Sequence, residues 1–205
     1  MNRVVSDNDY LDHGFWTPQT MMLRRVREWI ASCREENIAR ALSVDVNPTL
    51  TELVEDRWES VSITVAALPE HDAQDLSAFE DGWFDLTYSH QVLEHIRKPW
   101  IAAEEFLRVT RSGGIGIHTT CASNPMHGPP AFRDYYRFLP DGLEAIFDGV
   151  EVLSLASWGN RQALAYNLTI DDGHGDLGGR RFHRALGEPN EESFPWHTWI
   201  IYRKP

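Results

Sequence analysis

Cysteine is scarce in this chain: Cys33 and Cys121 are the two it has in 205 residues. Two thiols make neither a disulfide framework nor a Cys-based zinc site. Long apolar runs are missing as well. No stretch approaches the roughly 20 residues of a membrane span, and Met1–Asp9 lacks the apolar core of a secretory signal. Positive charge is in deficit, with 19 Lys plus Arg against 31 Asp plus Glu and a net charge of −12. Such a field repels a phosphate backbone or an anionic membrane surface, so neither nucleic acid nor membrane is expected as a partner. No internal repeat, low-complexity tract or charge block divides the sequence, and 1–205 reads as a single cytoplasmic domain. What is present is ordinary globular material, 42% apolar and 24% charged. A chain of this length buries roughly 70% of its unfolded surface without a staple. Eight Trp and nine His stand out against that background.

The order of periodic segments indicates the fold. Thr17-Pro18 reads as a helix N-cap followed by proline at the first helical position. Behind it Met22, Val26, Trp29, Ile30 and Cys33 recur at helical spacing. Ala41–Val46 is a short apolar run that leaves through Asp45, Asn47 and Pro48, and Leu50, Leu53, Val54 and Trp58 then suit a short amphipathic helix. Val61–Val65 and Phe84–Tyr88 read as strands, and Trp100, Ala103, Phe106 and Leu107 mark a helix stopped by Ser112-Gly113-Gly114. Ile115–Thr119 reads as a strand and Phe138–Phe147 as a helix, with strands expected at Val150–Ala156, Gln162–Ile170 and His197–Tyr202. Strands alternating with helices imply right-handed crossovers and a mainly parallel sheet. The closely spaced final strands add an antiparallel C-terminal edge. The expectation is a Rossmann-like, doubly wound α/β fold in three α/β/α layers. Ligands of such sheets bind beyond the carboxyl ends of the strands.

Those ends are polar. An acid in the position of Asp45 can accept two hydrogen bonds from ribose hydroxyls, although a turn-forming Asp before Asn-Pro is the better account of it alone. Asp72, in the loop after the Val61–Val65 strand, could accept from an adenine amino group, or be a solvated loop acid. Phe84–His95 runs from a strand into a loop with two His and a Glu.

Taken together, Phe84–His95, Pro99, Glu105-Phe106-Leu107-Arg108-Val109 and Ser112-Gly113-Gly114 resemble the central signature of class I S-adenosylmethionine-dependent methyltransferases. The spacing from Asp45 through Asp72 to Phe84-Asp85 is similar to that family's run from second to fourth strand. His127-Gly128-Pro129-Pro130, Asp134–Phe138, Pro140–Leu143, Trp158-Gly159-Asn160 and Trp199–Pro205 are similar to a bacterial branch of it. The resemblance covers about residues 40–205 and is specific as a set. It implies S-adenosylmethionine as cofactor, with Asp12 and Gly14 at the methionine end, Asp45 at the ribose, Asp72 and Ala73 at the adenine, and Ser89 at the strand end. One departure stands out: Phe15 and Trp16 occupy positions where the family's first strand ends in a glycine-rich loop. Glycine permits close backbone approach and tryptophan does not. Either that loop is rebuilt, or the first strand is missing.

Methyl transfer from a sulfonium needs alignment above all, and a base where the acceptor loses a proton. His90, nearest its strand end, is the first candidate for that base and His95 the second catalytic candidate, although His95 more readily orients the loop or fills a core hydrogen bond. His127, Tyr135 and Arg137 are candidates for a polar acceptor, on a segment that could equally be a crossover loop packed by its aromatics. His90, His95, His118 and His127 show no close ligand spacing, so no metal is expected, and Cys121 reads as a small buried side chain. The implied activity is methylation of an oxygen or nitrogen on a small-molecule or glycan-type acceptor. The rivals are a methyltransferase-like protein that has lost methyl transfer, serving as a binding or regulatory subunit or catalysing another reaction, and a partner module docking through its N-terminal aromatic helix. A homo-oligomer is compatible with each.

Overall fold

A computed structural model of the chain describes residues 17–35, 37–44, 48–128, 132–169 and 184–205. Among these, α1 (Pro18–Ser32) leads to β1 (Arg40–Ser43), α2 (Pro48–Arg57), β2 (Ser62–Val65) and β3 (Phe84–His90). A 3-10 turn at Leu93–His95, α3 (Pro99–Val109) and β4 (Thr110–Cys121) follow, then α4 (Pro140–Ala145), β5 (Glu151–Trp158), α5 (Arg161–Thr169), α6 (Arg184–Gly187) and β6 (His197–Arg203). The six strands form one sheet in the order β2-β1-β3-β4-β6-β5. β1 to β4 are parallel, and β6 runs antiparallel to both β4 and β5. This is the doubly wound α/β sheet with an antiparallel C-terminal edge that the element order implies.

Each face of the sheet buries its own cluster. α1 and α2 cover Ala41, Leu86, Tyr88, Ile115, Ile117 and Ile201, with Met22, Leu23, Val26, Ile30, Leu50 and Val54 as the helical contribution. α3 and α4 cover Leu42, Ile200 and Tyr202 with Ala102, Ala103, Phe106, Val109 and Leu143. α1 starts where the sequence indicates: the Thr17 hydroxyl accepts from Thr20 N at 3.1 Å, and Pro18 fills the first helical position. Trp58 is buried and Trp29 half-buried in the first cluster, so both tryptophans serve packing. Both cysteines are buried and unpaired. No described helix is long and apolar enough to cross a membrane.

Two expectations need correction. Gln162–Ile170 is not a strand: Arg161–Thr169 is helical. Gln, Ala and Leu are good helix formers, and the Asn160 side chain caps the first turn by accepting from Ala163 N at 2.8 Å. The Ser112-Gly113-Gly114 stop also falls elsewhere, since α3 ends at Val109 and β4 already includes those residues. Thr110 ends the helix by bonding its hydroxyl back to Phe106 O at 2.6 Å.

The seam between β1 and β3 sets the site. The two strands pair directly, with Ala41, Leu42 and Ser43 opposite Leu86, Thr87 and Tyr88. Asp85 clamps its lower end, its Oδ2 accepting from Ala39 N and Arg40 N at 3.0 and 2.9 Å and its Oδ1 from Arg111 Nε at 2.7 Å. Burial alone would raise the Asp85 carboxyl, but Arg111 and the two backbone amides hold it below its ordinary value.

Candidate functional site

In a doubly wound sheet the crevice opens where the strand order reverses, here above the carboxyl ends of β1 and β3. His90 closes β3 at that point and is buried. Its Nδ1 lies 2.8 Å from Thr119 Oγ1 on β4, and its Nε2 lies 3.3 Å from Gln19 Nε2 in the first turn of α1. With the Gln19 amide donating, Nε2 is the acceptor nitrogen and Nδ1 carries the proton toward Thr119. The imidazole is therefore held in one tautomer by groups on two different elements. Gln91, the next residue, sits at φ 55°, a left-handed conformation for a side chain larger than glycine. Its backbone N–H donates to Thr119 O at 2.9 Å. Such conformations cluster at working sites, where surrounding structure over-determines them.

Strand alternation turns Ser89 the other way. Expected at the cofactor, it is fully buried, its hydroxyl 2.9 Å from His118 Nδ1. His118 in turn stacks between Phe106 and Phe147, both at 4.9 Å, and burial lowers its pKa to about 3. It is a neutral core histidine.

The segment after β4 folds onto the same end. Tyr135 N and Tyr136 N both donate to Glu94 O, at 2.8 and 3.2 Å. His95 Nδ1 lies 2.7 Å from Arg133 O, and its ring meets His127 edge-on at 4.8 Å and Phe132 at 4.4 Å. His95 thus fastens the segment through its ring. Arg137 spends its donors locally, on Asn124 O, Pro125 O, Tyr136 O and both oxygens of Asp134. Burial would raise the Asp134 carboxyl, yet Arg137 and the His127 N–H bring it down to about 2. Arg137 consequently locks the segment, whereas the Tyr135 side chain is exposed to an incoming molecule.

Of the residues expected at a cofactor, Asp12, Gly14 and Asp45 lie outside the described residues, as do Phe15 and Trp16. Asp72 lies in the loop after β2, where its Oδ1 accepts from Gln74 N at 2.9 Å, and Gln74 Oε1 accepts from Lys98 N at 3.1 Å. Arg108 steadies the rest of that loop through Leu76 O, Phe79 O and the Asp81 carboxylate. Ala73 is half-buried against the second cluster. The Asp72 loop is therefore acidic and tied down. The order 3-2-1-4 of dinucleotide-type folds places a first strand between the second and the fourth, and here β1 and β3 occupy those two positions and bond to each other. The sheet has no place there for another strand.

The structure thus brings His95, His127 and Arg137 together, sets His90 on the α1 face of the sheet, and leaves Asp72 and Ala73 on their own loop. Sequence reasoning missed Gln19, Gln91, Thr119 and Thr120. Gln19 carried a weak signal, being in the first turn behind a proline-marked N-cap. The others have no local pattern.

Comparison with known proteins agrees with the fold. Residues 25–117 match the family described as a methyltransferase domain. A methyltransferase of Mycolicibacterium gilvum (strain PYR-GCK), itself uncharacterised, is 49% identical over 39 residues, which are 19% of this chain and 15% of that protein. Among solved structures, a SAM-dependent methyltransferase from Archaeoglobus fulgidus superposes with a TM-score of 0.59 at 14% identity, over 96% of this chain and 99% of that one. Phosphoethanolamine N-methyltransferase 2 of Haemonchus contortus, in complex with S-adenosyl-L-methionine, gives 0.56 at 15% identity, over 99% and 61%. The [4+2]-cyclase SpnF gives 0.52 at 18%, over 88% and 80%. At these identities the structural likeness speaks for the fold.

Proposed function

We propose that this chain, whose residues 25–117 match the methyltransferase-domain family, is a class I S-adenosylmethionine-dependent methyltransferase that methylates an oxygen or nitrogen of a small-molecule or glycan-type acceptor. One observation carries the reading: the match over residues 25–117 takes in β1 to β3 and the first part of β4, and the strand order reverses at the carboxyl ends of β1 and β3, beside His90 and Gln91. When bound, S-adenosylmethionine supplies an electrophilic methyl group. Asp72 and Ala73 would hold its adenine, Asp45 its ribose, and Asp12 with Gly14 its methionine end. His90 would take the acceptor's proton at Nε2 once the Gln19 amide gives way, and Thr119 would keep the ring in register by holding Nδ1. His95 positions the segment that carries His127 and Tyr135. The test is calorimetric titration of the full chain with S-adenosylmethionine and with its demethylated product. Saturable binding, weakened at least about tenfold by Asp72→Ala, supports the reading. No heat at millimolar ligand overturns it.

The direct β1–β3 pairing favours one alternative, a methyltransferase-like protein that no longer transfers methyl groups. It would act as a binding or regulatory subunit or catalyse a different reaction. Binding of the cofactor without methylation across a panel of hydroxyl and amine acceptors would select it.

A further inference from the structure

Three side chains outside the proposed methyl-transfer roles of His90 and Asp72 converge behind the strand ends. Glu94 comes from the 3-10 turn, Cys121 from the last position of β4, and His127 from the segment beyond it. Their donor atoms all lie within 4.8 Å of one another. Glu94 is completely buried. Its Oε2 accepts from Thr120 Oγ1 at 2.8 Å, while its Oε1 is buried without a hydrogen-bond partner among the described residues. Buried carboxylates are ordinarily paired or bound to a metal, because an unsatisfied one is costly.

Polar neighbours hold the His127 ring. Its Nδ1 lies 3.1 Å from Pro125 O and 3.4 Å from Asp134 Oδ2, and with the proton on Nδ1 it is Nε2 that is left for a metal. Metal-bound imidazoles are oriented in this way by a carbonyl or carboxylate on the distal nitrogen. Cys121 is fully buried, with its Sγ among the three converging donor atoms. The nearest positive group is Arg137, whose Nη2 is 3.5 Å from His127 Nδ1. Asp134 neutralises it with a two-point ion pair.

We propose that Glu94, Cys121 and His127 form a binding site for a zinc-class divalent cation. A nitrogen, sulfur and oxygen set suits zinc, and three protein ligands leave a fourth tetrahedral position for water or a substrate donor. Bond lengths of about 2.0–2.3 Å place tetrahedral donors roughly 3.5 Å apart, so the cluster must tighten by about 1 Å. His127, on the segment between β4 and α4, would have to move to make that adjustment, against the hydrogen bond from its N–H to Asp134 Oδ2 at 2.8 Å. On binding, the Cys121 S–H bond breaks, a metal–sulfur bond forms and the proton leaves to solvent. The ion would fasten the segment carrying Asp134 and Tyr135 to the ends of β3 and β4.

The test uses the full chain without an affinity tag, stripped of metal and titrated with cobalt(II) and then zinc(II), with no S-adenosylmethionine present. Its outcome is therefore independent of the methyl-transfer reading. One ion per chain is expected, with thiolate-to-cobalt absorption in the near ultraviolet, proton release, and a higher Tm with zinc. Cys121→Ser should abolish the absorption, and Glu94→Gln and His127→Ala should each weaken zinc binding at least about tenfold. A folded wild-type chain that takes up no stoichiometric ion overturns the proposal. So does cobalt absorption that persists in Cys121→Ser. Should Cys121→Ser fail to fold, Glu94→Gln decides, because native circular dichroism with unchanged zinc affinity also overturns it.

Discussion

Asp85→Asn isolates what closes the β1–β3 seam. The carboxylate accepts three hydrogen bonds, from Ala39 N at 3.0 Å, Arg40 N at 2.9 Å and Arg111 Nε at 2.7 Å, and the residue is 8% exposed. Asparagine offers one oxygen and one NH2. If the oxygen faces the two amides, the NH2 is set against the Arg111 guanidinium. If it faces Arg111, both amides lose their acceptor. Bonds to a charged partner contribute about 1.5–3 kcal/mol each and neutral ones about 0.5–1.5, so losing the charge and one partner costs about 2–4 kcal/mol. For a domain of this size that is a fall in Tm of about 4–16 °C. The effect has a pH signature. The folded-state pKa is lowered, so the contribution of Asp85 is complete above the unfolded carboxylate range and is lost as pH falls through the folded value. The gap between wild type and Asp85→Asn should therefore be full at pH 7 and narrow below about pH 4. Urea unfolding at pH 7, 4.5 and 3 measures both. A gap below about 1 kcal/mol at pH 7, or one that stays constant in acid, would falsify the clamp.

Other positions are exposed to equally direct checks. Gly116→Ala drives a Cβ into the buried Tyr202 ring, so the ring or the strands must shift, and a loss of about 1–3 kcal/mol is expected by thermal unfolding. Wild-type stability would show that the ring swings aside freely. Gln91→Val places a β-branched residue at φ 55° and should cost about 1–2 kcal/mol, while Gln91→Gly should stay within about 1 kcal/mol of wild type. Equal losses would mean that the Gln91 side chain, not its backbone, is what matters. Asn160→Ala removes the cap on α5 and two bonds to Leu186 O and Pro189 O, at 2.8 and 2.9 Å. It should cost about 2–4 kcal/mol and speed proteolysis between Arg161 and Pro189, and an unchanged cleavage pattern would count against it.

What the sequence discloses follows from where each constraint acts. α1 is readable because its start is local chemistry, Thr17 and Pro18, and its buried face recurs at 3.6 residues. The parallel order of β1 to β4 is readable because each pair of strands is separated by enough chain for a crossover. Gln162–Ile170 misleads, since Ala163 and Ala165 alternate with larger residues in a way that suits a strand. The deciding contact, Asn160 Oδ1 on Ala163 N, lies outside that run. Ser89 misleads for a related reason: proximity to a strand end does not fix which face a residue takes, and here it faces His118. The β1–β3 seam leaves no local mark, because ladder bonds are made by backbone alone. Glu94, Cys121 and His127 escape a search for ligand spacing because three separate elements deliver them.

The seam also bears on how a cofactor could bind. Val44 N donates to Tyr88 O at 2.9 Å and Ala66 N to Ser43 O at 2.8 Å, so the backbone ladder continues to the rim of the crevice. A glycine-rich loop serving the methionine end must therefore reach the crevice from outside the sheet. If binding instead required the seam to open, closure and cofactor would compete, and loosening the seam would tighten binding by linkage. Asp85 is suited to separate the cases. Five residues below His90 on β3, it sits about 16 Å from the strand end at 3.3 Å per residue, too far to touch a ligand there. With His90, Gln91 and the Asp72 loop all outside the β1–β3 ladder, coexistence is expected. Asp85→Asn should then bind S-adenosylmethionine within about twofold of wild type despite its lost stability. Affinity raised tenfold in that variant would mean that the closed sheet is the resting form, and that the cofactor selects an open one.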